Sequence, residues 1–257
     1  MRITFLGTGT SQGVPVIACD CEVCTSVDPQ DKRLRTSILV EGGGKVIVID
    51  SGPDFRYQML RMGVKHLDAV VLTHEHKDHI AGLDDIRAFN YRQQQALDVY
   101  ATERVQTGLK REFHYIFAEE KYPGIPRVNL HTIDKNTPFD IGGLHFVPIE
   151  VLHYRLPILG FRIGSFTYLT DVKTISDAEK EKIKGTQTLV VNALQREHHI
   201  SHLTLDEAIA FAKEIGAEQT YFTHISHRLG RHAHVSRELP EGIHLAYDGL
   251  QLEIEGE

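Results

Sequence analysis

The sequence predicts an α/β fold in which helices lie outside a mixed or antiparallel arrangement of β-strands. Short β-type runs recur along the chain, and between them lie stretches whose apolar residues follow helical spacing. The second half contains more consecutive strand-like runs than a regular βαβ alternation would give, which disfavours an all-parallel sheet. The length of 257 residues suits one domain, so we expect a single domain over residues 1–257.

Ten short runs are predicted to form β-strands, and several of them end in a histidine or an aspartate. In chain order they are RITFLG, TSILVEG, KVIVIDSG, LDAVVLTH, LDVYAT, LHFVPIEVLH, ILGFRIG, FTYLTD, TLVVNAL and QTYFTH. The least regular stretches are predicted at residues 8–35 and 118–129. In the second of these, Pro123, Gly124 and Pro126 interrupt any regular structure.

Six stretches are predicted to be helical. They span residues 55–62, 82–89, 102–117, 175–184, 205–215 and 228–237. The helix over 205–215 has a clear start, because Thr204 can act as its N-cap and Glu207 can complete a capping box. It ends at Gly216, and the helix over 175–184 ends in the same way at Gly185.

Composition and charge exclude several classes of protein. The net charge of −7 disfavours non-specific binding to nucleic acid or to an anionic membrane, although Arg228 and Arg231 leave nucleic acid open as a partner. No stretch approaches the roughly 20 apolar residues of a membrane span, and the first residues show no signal-peptide pattern. All three cysteines lie within CDCEVC, which indicates a metal site in a reducing compartment. We therefore expect a cytoplasmic protein that does not bind membranes.

The stretch LDAVVLTHEHKDHIAGL places three imidazoles and a carboxylate directly after a buried strand. Side chains two apart in an extended backbone point the same way, so His74 and His76 can share one ion. Asp78 and His79 lie at the turn into a helix and suit a second ion. Imidazole and carboxylate are the usual ligands of zinc, manganese or iron, so the stretch predicts a metal site.

This H-x-H-x-D-H motif resembles the signature of the metallo-β-lactamase-fold hydrolases. The resemblance implies an αββα sandwich of two mixed β-sheets flanked by helices, with three further ligands at later strand ends. Those later ligands are His153, Asp171 and His224. It further implies that His74, His76 and His153 hold one divalent ion. The second ion is then held by Asp78, His79 and His224, and Asp171 bridges the two. His145 competes with His153 but lies in the middle of its predicted strand.

The three cysteines predict a separate structural zinc. Cys19, Cys21 and Cys24 can meet one ion, and a closed zinc site needs a fourth ligand, for which His227 in THISH is the candidate. This arrangement resembles the phosphoribosyl cyclic phosphate phosphodiesterases, a narrower branch of the same superfamily. The N-terminal FLGTGTSQGVP is similar to that branch and to tRNase Z. The zinc would attach the long N-terminal loop to the wall of the active site.

The resemblance implies a metal-dependent phosphodiesterase with two catalytic zinc or manganese ions. These ions would polarise a small or cyclic phosphodiester and generate a bridging hydroxide that attacks phosphorus. Asp78 and His202 are the predicted catalytic residues. The resembled phosphodiesterases and tRNase Z carry a His-containing element about twenty residues before the last ligand, and His202 fits that position best, so the resemblance implies that it is the general acid. His198 and His199 stay open as alternative acids. Asp50 either orients a ligating imidazole or caps the following helix, and GTGTSQG either receives an anionic oxygen or forms a plain turn.

Other functions on the same fold stay open. A tRNA 3′-end endonuclease would need a basic protruding arm, and none is visible in the sequence. A lactone or thioester hydrolase would use the same metal site, and a mononuclear-iron sulfur dioxygenase would keep the histidines. A diiron site with a glutamate at the position of His76 is disfavoured, as are non-hydrolytic pyrroloquinoline quinone biosynthesis relatives, which generally lack the intact motif. The expected partner is a small-molecule phosphodiester, and a second copy of the chain is a candidate for a homodimer.

Overall fold

The computed structural model describes residues 1–120 and 122–255, which form fifteen strands and eight α-helices. The strands are β1 (Arg2–Gly7), β2 (Ser37–Gly42), β3 (Lys45–Ile49), β4 (Ala69–Val71), β5 (Leu97–Ala101), β6 (Val128–Thr132), β7 (Phe139–Ile141), β8 (Leu144–His153), β9 (Leu156–Ile163), β10 (Phe166–Tyr168), β11 (Thr174–Ile175), β12 (Thr188–Asn192), β13 (Gln219–Thr223), β14 (Ile243–Leu245) and β15 (Gln251–Glu253). The helices are α1 (Phe55–Met62), α2 (Lys77–Ile80), α3 (Arg87–Gln93), α4 (Glu103–Glu112), α5 (His114–Phe117), α6 (Asp177–Lys182), α7 (Leu205–Ile215) and α8 (His232–Val235).

The strands form two mixed sheets. The first has the order β15-β1-β2-β3-β4-β5-β6, and it is antiparallel from β15 to β3 and parallel from β3 to β6. The second has the order β11-β8-β9-β10-β12-β13-β14, with β7 also paired to β8. It is antiparallel from β11 to β10 and parallel from β10 to β14. Each sheet therefore has an antiparallel and a parallel half.

Apolar residues fill three layers between these elements. The central layer joins the two sheets, with Phe5 of the first sheet and Phe161 of the second in one buried cluster. An outer layer packs α1 and α4 on the first sheet around Phe55 and Leu109. The other outer layer packs α7 on the second sheet through Phe211. Because an amphipathic helix and a sheet face bury each other, the result is the predicted αββα sandwich, which is confirmed.

All ten predicted strand runs contain a strand, but five further strands were not predicted. They are β6, β7, β11, β14 and β15. Four of them have two or three residues, which is too short to show an alternating apolar pattern. The fifth, β6, begins inside residues 118–129, which were predicted to be irregular, and it forms through parallel pairing with β5. Lys121 of that segment lies outside the described residues.

Two predicted helices are confirmed residue for residue, namely 55–62 as α1 and 205–215 as α7. At the start of α7, the Thr204 hydroxyl accepts from the Glu207 N–H (3.3 Å), and the Glu207 carboxylate accepts from the Thr204 N–H (2.9 Å). Gly216 ends the helix with a φ of 70°, in the left-handed region that glycine tolerates. The predicted capping box and glycine stop are therefore both present.

The other four helix predictions are wrong in their extent. The stretch 102–117 divides at Phe113 into α4 and α5. The stretch 82–89 begins as a 3₁₀ turn over 83–86 before α3, and the start of 175–184 pairs in β11 instead. Within the stretch 228–237 only α8 is helical. Gly230 has a φ of 116°, which no α-helix contains, so the helix begins only after this residue. None of the described helices has the length and apolar character that a membrane span requires.

Candidate metal centre

The seven predicted metal ligands lie together at one edge of the second sheet, facing the end of β4. Strands β8 and β10 are both antiparallel to β9, so they run in the same direction as β12 and β13. The carboxyl ends of these strands therefore meet at one edge. The ligands that gather there are His74, His76, Asp78, His79, His153, Asp171 and His224.

The ligands predicted for one ion form a tight group around the Asp171 carboxylate. One ligand atom each from Asp78, His79, Asp171 and His224 lie within 4.8 Å of one another. Nε2 of His79 is 3.3 Å from Asp78 Oδ2 and 3.3 Å from Asp171 Oδ2. Nε2 of His224 is 3.3 Å from the other oxygen, Asp171 Oδ1. The two oxygens of Asp171 thus face two of the histidines predicted for this ion.

The histidines predicted for the other ion lie beside this group. The ring centroids of His74, His76 and His153 are 4.7 to 5.8 Å apart. Within the described part of the chain, however, the closest ligand group that includes His153 joins it to Asp171 and His202, again within 4.8 Å. His202 Nε2 lies 3.0 Å from Asp171 Oδ1. The structure therefore brings His202 into the centre as well.

Asp50 orients the imidazole of His79 through a buried hydrogen bond. Its Oδ2 accepts a hydrogen bond from Nδ1 of His79 over 2.7 Å, and neither side chain has any exposed surface. Its Oδ1 accepts from the backbone N–H of Thr73 at 2.9 Å. The orienting role predicted for Asp50 agrees with these contacts, and the capping alternative is wrong because Asp54 occupies the N-cap of α1.

Thr73 extends this network to a second imidazole and was missed by the sequence analysis. Its hydroxyl donates to Asp50 Oδ2 (2.8 Å) and lies 2.9 Å from Nδ1 of His74. Since the hydroxyl hydrogen is used on Asp50, His74 donates its Nδ1–H to the Thr73 oxygen, which leaves Nε2 with a free lone pair. His153 is oriented likewise, because its Nδ1–H donates to the carbonyl of Ser201 at 3.0 Å. The sequence does carry a signal for this role, because a threonine stands directly before the H-x-H-x-D-H motif.

The orphaned nitrogens of the centre fit a metal ion. Among the residues that the structure describes, Nε2 of His74 and Nε2 of His79 are buried without a hydrogen-bond partner. Buried polar atoms are otherwise almost always paired, and a coordinated cation would pair these. Burial lowers the pKa of His74 well below its usual range and that of His224 to about 4, so both rings stay neutral and able to ligate.

The carboxylates create a field that favours positive charge at the same place. Burial by itself lowers the pKa of His79, but Asp78, Asp50 and Asp171 outweigh it and raise that pKa well above its usual range. Burial raises the pKa of Asp171, yet His224 and His79 hold it well below the usual value. Carboxylates beside imidazole nitrogens are the donor set that divalent ions prefer, and a bound ion would take the place of the His79 proton.

Three residues of the centre are held in strained backbone conformations. Asp50, Asp171 and His224 have φ angles of 65°, 58° and 54°, in the left-handed region that non-glycine residues rarely adopt. Each lies directly after a strand or a few residues beyond one, where the chain must turn a side chain into the centre. Such strain persists only where surrounding contacts determine the geometry, and it is typical of functional sites.

The predicted zinc ligands also meet. Nδ1 of His227 lies 3.2, 3.3 and 3.5 Å from the sulfur atoms of Cys19, Cys21 and Cys24. All four ligand atoms are within 4.8 Å of one another. Burial raises the pKa of Cys24 to about 11. Burial by itself would also raise the pKa of Cys21, but hydrogen bonds from the Cys24 N–H and His227 outweigh it and lower that pKa to about 6. A thiolate is thus already favoured at Cys21, as a zinc site needs.

Three N–H groups of the segment GTGTSQG are already used within the protein. The N–H groups of Thr8, Gly9 and Thr10 donate to Asp248 Oδ1, the Leu34 carbonyl and the Ile225 carbonyl, respectively. The anion-binding alternative for these three groups is therefore wrong. The Thr10 hydroxyl lies 3.4 Å from Nε2 of His224, so the segment packs directly behind a predicted ligand.

Three other candidate positions lie outside the centre. His145 is exposed and pairs with Asp140 at 3.0 Å, so His153 alone of the two faces the ligands. His198 is exposed as well. Arg231 of the predicted basic patch faces Glu22 on the cysteine loop, with 3.4 Å between Nε and Oε2, which reduces the charge available to nucleic acid.

Residues 45–225 match the family model described as a beta-lactamase superfamily domain. The chain belongs to this superfamily. A crystal structure described as a new diphosphatase from the PhnP family is 45% identical, with a TM-score of 0.92 over 99% of this chain and 98% of that chain. The predicted resemblance to the superfamily and to its cyclic-phosphate phosphodiesterase branch is thereby confirmed.

Two curated relatives are also similar to this chain. The octanoyltransferase of Porphyromonas gingivalis is 43% identical over 253 residues, which cover 98% of this chain. The chain spans about half of that relative, 51% of its length. The ribonuclease Z of Pyrobaculum neutrophilum is 22% identical over 279 residues, covering 89% of this chain and 88% of that protein.

Proposed function

We propose that the chain is a dinuclear metal-dependent phosphodiesterase that acts on a small or cyclic phosphodiester. The observation that carries the proposal is that Asp171 belongs to two ligand groups, one with Asp78, His79 and His224 and the other with His153 and His202. Two ions that share a carboxylate form the kind of centre that serves in-line displacement at phosphorus. The 45% identity to a PhnP-family diphosphatase supports this chemistry.

The proposed ligand sets are those that the resemblance to the metallo-β-lactamase-fold hydrolases implies. His74, His76 and His153 would hold one ion, Asp78, His79 and His224 the other, and Asp171 both. When bound, two divalent ions, zinc or manganese, polarise a phosphoryl group and lower the pKa of the attacking water.

The protein's own residues prepare that centre. Asp50 and Thr73 keep hydrogens on the Nδ1 atoms of His79 and His74, so that Nε2 of each ring faces inward. Because the carboxylates raise the pKa of His79, its Nε2 hydrogen would leave when an ion binds. Asp78 stays ionised, because the charge of His79 outweighs burial and lowers its pKa, and it can accept a hydrogen bond from the attacking water. His202, whose Nε2 edge faces Asp171, donates a proton to the leaving oxygen.

We also propose a structural zinc held by Cys19, Cys21, Cys24 and His227. His227 follows the ligand His224 by three residues, so an ion in this site would hold the cysteine loop against the catalytic centre. Both sites draw on segments far apart in sequence, which supports one functional unit over residues 1–257. A cytoplasmic location and a homodimer stay predictions.

The test combines metal content with activity. Elemental analysis should find close to three metals per chain, and the purified protein should hydrolyse bis(p-nitrophenyl) phosphate. His76→Ala and Asp78→Ala should abolish that activity, because each removes a proposed ligand. His145→Ala is the matched control, since that exposed imidazole pairs only with Asp140, and it should behave as wild type. One metal per chain, iron alone, or full activity in Asp78→Ala would contradict the proposal.

A second candidate is hydrolysis of an acyl ester or thioester. It is supported by the 43% identity to the P. gingivalis octanoyltransferase, since the same kind of centre can polarise a carbonyl. The ratio of kcat/KM for octanoyl thioesters to that for cyclic phosphodiesters separates the two candidates. Precursor tRNA belongs in the same comparison because of the ribonuclease Z relative, and strong cleavage of it would favour a nuclease.

A further inference from the structure

Two imidazoles beside the metal centre, those of His199 and His202, contact each other through their Nδ1 atoms at 3.1 Å. Ser201 lies between them in sequence, and its hydroxyl is 3.0 Å from Nδ1 of His202 and 3.2 Å from Nδ1 of His199. His202 is buried, His199 is partly buried, and the neighbouring His198 is exposed. The contact therefore distinguishes His199 from the other histidines of this segment.

The Nε2 atom and the ring faces of His202 have contacts of their own. Nε2 lies 3.0 Å from Asp171 Oδ1, and because a carboxylate only accepts, this nitrogen carries a hydrogen. The ring also meets His153 edge to face at 4.6 Å between centroids and stacks on His224 at 4.9 Å. The group that binds Nδ1 therefore determines whether the Nε2–H of His202 stays directed at the metal centre.

Nδ1 of His199 is arranged to be that group. The backbone N–H of Ser201 donates to it over 3.3 Å, so the atom acts as an acceptor. Its one lone pair also faces Nδ1 of His202 at the shorter distance of 3.1 Å, so it can share that lone pair with a hydrogen from that nitrogen in a three-centre bond. An imidazole that gives up its Nε2 hydrogen must keep one on Nδ1 to end as a neutral ring.

We propose that His199 is a positioning residue for the general acid, an inference that rests on the proposed function. It accepts the Nδ1–H of His202 and so directs the Nε2–H at the leaving oxygen. When the bond from phosphorus to that oxygen breaks, the Nε2 hydrogen moves to the oxygen. The ring is left neutral, with its remaining hydrogen on Nδ1 held by His199.

The kinetic test uses two phosphodiesters that differ in their need for an acid. The p-nitrophenolate of bis(p-nitrophenyl) phosphate leaves without a proton, whereas the alkoxide of a 2′,3′-cyclic nucleotide requires one. His199→Phe should lower kcat on the cyclic nucleotide by roughly 10–100-fold, because misplacing the acid removes some of the roughly 10²–10⁴-fold contribution of general acid catalysis. It should change kcat on the nitrophenyl ester less than about threefold, because that ester does not need the acid. His199→Asn, which keeps an acceptor oxygen, should recover most of the loss. His198→Asn is the matched control. Equal losses on both substrates would indicate a merely structural role and overturn the proposal.

A spectroscopic arm keeps the two proposals distinguishable. Long-range ¹H–¹⁵N spectra of the metal-loaded protein report which nitrogen of His202 carries hydrogen. His199→Phe should shift the His202 nitrogen signals, and His198→Asn should not. If the wild-type protein hydrolyses neither phosphodiester, the proposed function fails, and the spectra still decide the positioning role. Unchanged His202 signals in His199→Phe would refute that role whatever the activity.

Discussion

Asp50→Asn should weaken binding of one catalytic ion while leaving the shape of the protein intact. The carboxylate of Asp50 accepts from the fixed backbone N–H of Thr73 on one oxygen and from Nδ1 of His79 on the other. An asparagine has one acceptor oxygen and one donor nitrogen. If the oxygen keeps the Thr73 bond, the NH₂ group faces His79 and must donate to Nδ1. The hydrogen of His79 then moves to Nε2, the atom that faces Asp78 and Asp171.

The size of the effect follows from this single hydrogen bond. A hydrogen bond to a charged group contributes about 1.5–3 kcal/mol, and about 1.4 kcal/mol corresponds to a factor of ten in affinity. The expected loss is therefore about 10–100-fold in affinity for the ion held by His79, in line with the typical effect of partners that orient metal-ligating histidines. The ion at His74 should be affected less, because His74 depends on Asp50 only through the Thr73 hydroxyl.

Competition with a chelating indicator measures both affinities on the same protein. Asp68→Asn is the matched control, because Asp68 accepts from Val46 N–H and Lys45 at the opposite end of the same pair of strands. It should bind both ions as the wild type does. Wild-type affinity for both ions in Asp50→Asn would refute the argument that the Asp50 hydrogen bond sets the tautomer of His79.

Three further predictions concern the zinc loop and stability. Cys21→Ser should lose one zinc per chain and lower Tm by roughly 10 °C or more; an unchanged Tm would count against a structural zinc. His232 accepts a hydrogen bond from Arg33, and burial lowers its pKa to about 4. Because the unfolded chain protonates at about pH 6.5, stability from neutral His232 is present above that pH and is lost towards pH 4, by about 3 kcal/mol. Urea unfolding of His232→Gln should show a shallower loss over that range, and equal slopes would contradict the assignment. Thr204→Ala should cost about 1 kcal/mol through loss of the capping box, and no change in the urea midpoint would refute it.

The local elements were predictable because their signals are short in sequence. The helix over 205–215 carries its spacing, cap and glycine stop in its own sequence, the helix over 55–62 was predicted to the residue, and all ten strand runs contain strands. The two-residue and three-residue strands at the sheet edges were not predictable, since pairing partners define them and no alternating pattern does. Gly230 keeps the first residues of a predicted helix out of helical conformation through a backbone angle that residue spacing does not reveal.

The sequence by itself determined which residues could bind metal: the H-x-H-x-D-H motif, the clustered cysteines, and histidines or aspartates at strand ends. Only the tertiary structure decided how they meet. Asp171 faces His79 and His224 because strands far apart in sequence end at one edge, and left-handed backbone at Asp171 and His224 turns their side chains inward. The contact of His199 with His202 likewise depends on where a loop folds back. Donor chemistry is carried by residue type and is local, whereas distances between donors depend on strand pairing over the whole chain.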